Sequence, residues 1–167
     1  MPLFRRDHGP EPRRFQMRED LLSIGDDYWI EDETGAKAYK VDGKALRVRD
    51  TWKLEDLQGN ELAQIREKKL SVRDAMTIEF AGGGSAKVKK ALVGIRDRFH
   101  IEMDGGPDLK AHGNIVDHEY EIERDGDAIA EISKKWFRIR ETYGVEVHHE
   151  VDPVLVLAIT VLRSPRP

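Results

Sequence analysis

"DPVLVLAITVLRSPRP", residues 152–167, holds eight apolar residues among the nine from Val154 to Leu162, with Thr160 the single interruption. A run with no polar face has three possible settings: a bilayer, a buried strand, or a helix enclosed by protein. Spanning a bilayer takes about 20 apolar residues, roughly twice what is present. Asp152 followed by Pro153 has the chemistry of an N-cap and a first-turn proline. Arg163 suits the negative end of the helix dipole, and Ser164-Pro165 stops the helix. The pattern therefore predicts a helix over 153–163, with a buried strand as the competing reading because β-branched residues are frequent in it. Val154, Leu155, Leu157, Ala158, Ile159, Val161 and Leu162 form its core surface. A helix apolar on every side must be surrounded by protein.

The rest of the chain supplies candidate surroundings. Three stretches share one grammar: "IEDETGAKAYKV" (30–41), "LEDLQGNELAQI" (54–65) and "IERDGDAIAEI" (122–132). Each places acidic or polar turn residues before a glycine, and an apolar residue six positions after it. Gly35, Gly59 and Gly126 provide the positive φ that tight hairpins need, so each stretch reads as a β-hairpin. Aligning Gly59 with Gly126 sets "GNELAQIREKKLSVRDAMTIEF" over "GDAIAEISKKWFRIRETYGVEV" without a gap, and 6 of the 22 positions are identical. About one identity is expected from ordinary composition.

Leu70, Val72, Met76, Ile78 and Phe80 fall over Phe137, Ile139, Tyr143, Val145 and Val147, with the period-2 alternation of half-buried strands. The alternation breaks at Arg73-Asp74 and at Arg140-Glu141, which reads as a turn or bulge in each half. Between the halves, "AKVKKALV" and "RFHIEM" are two more strands, and the glycine-rich ends of 81–113 are loops. The result is an internal repeat of antiparallel meanders. About twelve short strands imply a barrel, because closure removes exposed edges. A barrel that wide is not filled by its own side chains, so the apolar helix is expected inside it.

The motifs "LEDLQGNELAQIREKKLSV", "IERDGDAIAEISKKWFRIR" and "DPVLVLAITVL" together resemble the LURP-one-related family over residues 14–163. That family is similar to the tubby C-terminal domain and to the phospholipid scramblases. The resemblance implies a tubby-like twelve-stranded β-barrel around a central hydrophobic helix, with no established catalytic activity. Tubby domains bind phosphoinositide headgroups through a basic pocket. Scramblases carry cysteines for acylation and a calcium-binding segment. Neither is matched here, which argues against scrambling.

Composition narrows the function further. The 167 residues suit one domain, read as a flexible N-terminal arm over 1–12, a barrel domain over 13–163 and a tail over 164–167. Charged residues make up 36% and apolar residues 39%, too much apolar content for a disordered chain. Cysteine is absent, which excludes disulfides, thiolate catalysis and cysteine-ligated metals. No apolar run of signal-peptide length opens the sequence. These features point to a cytoplasmic protein, meeting a membrane peripherally if at all. The net charge of −4 offers no global field for nucleic acid.

Lys87, Lys89, Lys90, Arg96 and Arg98 are the candidate anion-binding cluster, since phosphate headgroups require several converging cations. A solvated strand face paired with Asp97 and Glu102 is the plainer account of the same residues. Lys68, Lys69 and Arg73, with Lys134, Lys135, Arg138 and Arg140, form two patches that follow the repeat. Arg5, Arg6, Arg13 and Arg14 read as an arm supplementing anion binding. "GGGSAKVKK" lacks the Lys-Ser/Thr pair and the helix of a phosphate loop. His148-His149-Glu150, if extended, sends its imidazoles to opposite faces, and His112 and His118 flank a loop. Ordinary surface histidines fit better than a metal centre, so no metal or cofactor is expected. Trp29, Trp52 and Trp136 read as core or barrel-rim residues. No catalytic constellation is legible. The expected function is a non-enzymatic binding or adaptor module contacting anionic lipid headgroups or a protein partner; the alternative is a small-molecule carrier with its ligand at the barrel mouth.

Overall fold

The computed structural model describes residues 12–18, 28–43, 51–68, 75–91, 97–114, 119–136 and 142–162. The arm before residue 12, the tail after 162, and the alternation breaks at 73–74 and 140–141 lie outside the described residues. Twelve strands precede one helix: β1 (Arg13–Arg18), β2 (Tyr28–Asp32), β3 (Lys37–Asp42), β4 (Thr51–Glu55), β5 (Glu61–Lys68), β6 (Ala75–Phe80), β7 (Ser85–Ala91), β8 (Asp97–Met103), β9 (Leu109–Asn114), β10 (Glu119–Arg124), β11 (Asp127–Ser133), β12 (Thr142–Val147) and α1 (Pro153–Leu162). Each strand pairs antiparallel with its sequence neighbours, and β1 pairs with β12 to close the barrel.

Every strand sends at least one apolar side chain inward. Met17, Ile30, Val41, Leu54, Ile65, Ile78, Val88, Ile101, Leu109, Ile122, Ile132 and Val145 come one from each strand and are all buried. They meet α1, in which Val156, Leu157, Ala158, Ile159 and Thr160 have no exposure at all. Five consecutive helical residues point in every direction around the axis, so the barrel wall surrounds the helix. Val154 and Leu155 are only partly buried and mark the barrel mouth. The Asp152 carboxylate accepts the Val154 N–H at 3.0 Å, the expected N-cap. Thr160, the one polar residue of the run, donates its hydroxyl to the Val156 carbonyl at 2.8 Å and so carries no unpaired donor into the core.

The hairpin turns follow their glycines. Gly35, Gly59 and Gly126 have φ of 89°, 85° and 84°. In the first two turns Asp32 and Asp56 fold over the loop: each side chain accepts the N–H groups two and four residues on. Asp125 joins Gly126 at positive φ, the two-residue Asp-Gly connection of type I′. Registers also correspond: β5–β6 pairs Ala63 with Phe80 and Ile65 with Ile78, while β11–β12 pairs Ala130 with Val147 and Ile132 with Val145.

Two expectations need correction. Residues 109–113, read as loop, belong to strand β9: Leu109 and Ala111 point inward and supply the alternation. Gly113 makes the closest backbone approach there, since a Cβ would stand 2.7 Å from the Glu119 carbonyl oxygen. Arg13 and Arg14 lie in β1 rather than in an arm, because the buried Phe15 and Met17 fix that strand in the wall.

Candidate functional site

The outward faces of β7–β10 carry the charged residues, and their adjacency is set by register. Lys87 stands opposite Glu102, Lys89 opposite His100, and Arg98 opposite His112. Lys89 Nζ is 2.8 Å from Glu102 Oε1, and this hydrogen bond holds the Glu102 carboxyl below its ordinary range. Much of the Lys89 charge is thereby answered within the sheet. Lys90 occupies the register position opposite the buried Phe99, out of phase with Lys87 and Lys89. Arg96 lies outside the described residues. Of the five cations singled out in the sequence, Lys87, Lys89 and Arg98 are the ones with described side chains, and the register sets them along the outer face of β7 and β8.

Arg98 instead joins residues to which the sequence reading gave no part in anion binding. With His100, Lys110, His112 and Glu123 it lines a concavity of about 410 Å³ on the outer face of β8–β10. His100 Nε2 lies 3.2 Å from Asp108 Oδ2, and Asp108 also accepts the Met103 N–H at 3.0 Å. His112 Nε2 lies 2.8 Å from Glu123 Oε1. Lys110 stands beside His100 on one side and Glu123 on the other. Two permanent cations and two imidazoles thus share one depression with a carboxylate.

Beyond it the same face turns acidic. Glu121, Glu131 and Glu146 stand directly opposite one another across β10, β11 and β12. Partial burial, then the charges of Glu121, Glu146 and Glu119, push the Glu131 carboxyl above its ordinary range. Glu119 accepts the Ser133 hydroxyl at 3.1 Å and the Lys134 N–H at 2.9 Å. Arg14 closes the row, with Nε 2.7 Å from Glu146 Oε2 and its guanidinium 5.1 Å from the Trp136 ring centre. Among the tryptophans only Trp52 is core; Trp29 is surface-exposed under Lys37, whose Nζ is 4.4 Å from its ring centre.

A second concavity, about 390 Å³, opens at the barrel mouth between Leu62, Phe80, Met103, Val154 and Leu155, with Asp152 at its edge. His148 and His149 occupy the turn after β12, their ring centres 4.4 Å apart, and are not spread to opposite faces of an extended segment. His118 and most of the two repeat-related basic patches lie outside the described residues; Lys134 and Lys135 are exposed. Among the described residues no helix is long and apolar enough to cross a membrane.

No curated protein matches the chain significantly. A solved X-ray structure of a protein from Arabidopsis thaliana is similar in fold, with a TM-score of 0.66 at 17% identity over 93% of this chain and 91% of that one. The LURP-one-related family model matches residues 13–164. The closed barrel, its enclosed helix and that match over nearly the whole length place the chain in one group: it belongs to the LURP-one-related family.

Proposed function

We propose that this protein is a non-enzymatic binding module that takes an anionic, headgroup-like phosphate on the outer face of β7–β9. The concavity lined by Arg98 and Lys110, with the His100 imidazole beside them, carries the reading. Lys87 and Lys89 extend the basic surface along β7 on the same face. The apolar tail is committed to the core, so contact with a membrane is peripheral and made through cations.

Each lysine or arginine near an anionic surface contributes about 1 kcal/mol, close to fivefold in affinity. Sedimentation with neutral vesicles and with phosphoinositide-containing vesicles tests the reading. Binding to the charged vesicles alone is expected. It should fall roughly 30-fold in the Arg98→Ala/Lys110→Ala double variant, and less in Lys87/Lys89/Lys90→Ala, because Glu102 already answers Lys89 and stands opposite Lys87. It should also weaken steeply with salt, since screening acts over about 8–10 Å at 0.10–0.15 M. Equal binding to neutral vesicles, or an unaffected double variant, sinks the assignment.

The second reading is a small-molecule carrier, favoured by the largely apolar concavity where the helix meets the barrel mouth. A co-purifying ligand in native mass spectrometry, lost on Leu155→Glu, is its test.

A further inference from the structure

We propose that His112, Glu121 and Glu123 form a site for a divalent cation of the zinc class on the outer face of β9 and β10. The donor atoms of these three residues all lie within 4.8 Å of one another. Their proximity is a product of register. Glu121 stands directly opposite His112, and Glu123 follows two positions along on the same face of β10, the diagonal position that long side chains reach. No ligand spacing in the linear sequence announces it, since His112 and the glutamates are brought together only by the β9–β10 pairing.

The local chemistry points to a cation. His112 Nε2 is shut off from solvent and lies 2.8 Å from Glu123 Oε1, yet outside hydrogen-bonding angles to any described residue. Unprotonated, such a nitrogen and carboxylate oxygen turn two lone-pair donors toward each other, an arrangement that a cation between them relieves. Around zinc, with donors at about 2.1 Å, neighbouring tetrahedral donors stand roughly 3.4 Å apart. Small rotations of two partly exposed glutamate side chains reach that spacing. The second observation is electrostatic: Glu121 opens the row that continues through Glu131 to Glu146. Like charges directly opposite one another in a sheet repel, and a divalent charge at Glu121 offsets that repulsion at its crowded end. Arg98 and Lys110 flank the other side, where they lower the attraction for a cation without occupying the donors' common volume.

The donor set selects the class of ion. One imidazole and two carboxylates suit zinc and its borderline neighbours. Calcium and magnesium prefer all-oxygen sets with more ligands. Three protein donors leave at least one coordination position open. His112 and Glu123 also line the concavity beside Arg98, so solutes have access to it.

Calorimetric titration of the full chain with Zn²⁺, in phosphate-free buffer, is the test. We expect one ion per chain, affinity reduced by at least about 100-fold in His112→Ala and in the isosteric Glu121→Gln, since loss of an outer-shell partner alone costs up to about that much, and no displacement by equimolar Ca²⁺ or Mg²⁺. Zn²⁺ should raise the Tm of the wild type and leave that of Glu121→Gln unchanged. The adjacent imidazoles of His148 and His149 are the control, and His148→Ala/His149→Ala should bind like the wild type. Absence of Zn²⁺ binding, undiminished binding in both site variants, or loss in the His148/His149 variant overturns the proposal. Vesicle binding in the presence of a chelator reads the anion site alone, so failure of one proposal is separable from failure of the other.

Discussion

Glu131 shows how neighbours on a sheet set the behaviour of a single residue. Its carboxyl is held above the ordinary value, first by partial burial and then by Glu121, Glu146 and Glu119. In this case the native state takes up its proton before the unfolded state does. The site therefore penalises folding when ionised at neutral pH, and the penalty fades as pH falls through the raised native value toward 4.5. Glu131→Gln should stabilise the protein by about 0.5 kcal/mol at pH 7, the gain kept small by solvent screening, and should make little difference near pH 4. Chemical denaturation at the two pH values checks this; a gain that persists at pH 4 assigns the effect to packing. Asp32 and Asp56 behave oppositely. Hydrogen bonds within their turns, led by those from Thr34 and Asn60, hold both carboxyls down. Their contribution is present above pH 3.8 and is lost as pH falls through the lowered native values.

At the level of elements, the hairpins were the most legible feature of the sequence because three rules coincide in each. Glycine at the turn, acidic residues before it and alternation on both sides all specify the same register. Gly59 isolates the backbone part of that specification, for a Cβ there meets nothing within 4 Å. Gly59→Ala should cost about 1 kcal/mol from its left-handed φ alone, and equilibrium unfolding of this variant beside Gly35→Ala should give similar losses. Strand β9 was not legible. Its segment follows Gly105-Gly106-Pro107, and only Leu109 and Ala111 mark an inward face; neither is a strong strand former. Reading it as loop also hid Lys110 and His112, which lie on its outward face. Among the described side chains of the anticipated basic cluster Arg98 alone lines the concavity, because which cations converge depends on how β7, β8 and β9 are aligned. Alternation tells which face a residue takes, and nothing in it fixes which neighbours it will meet.

For the whole molecule, the barrel and its helix are one cooperative unit, since buried residues from all twelve strands and from α1 form one continuous hydrophobic core. The helix was legible because a run without a polar face excludes solvent on every side. Leu157 lies at its centre with no exposure. Leu157→Asp would bury a charge with no partner, costing several kcal/mol, comparable with the total stability of a domain this size. The expected outcome is insoluble or molten protein, and a soluble variant with a cooperative unfolding transition would contradict the enclosed helix. Leu157→Met, which conserves volume, should cost less than about 1.5 kcal/mol.

The position of that helix in the chain has a consequence for biosynthesis. Strand β1 cannot find its closing partner until β12 has been made, and neither has a lining to close around until residue 162 follows. A ribosome adding about 5–20 residues per second therefore holds, while residues 13–162 are being made, a growing polypeptide whose inward-facing strands have no core to cover them. Closure of this barrel therefore waits for the synthesis of its last strand and its helix, and its inward faces stay uncovered until then.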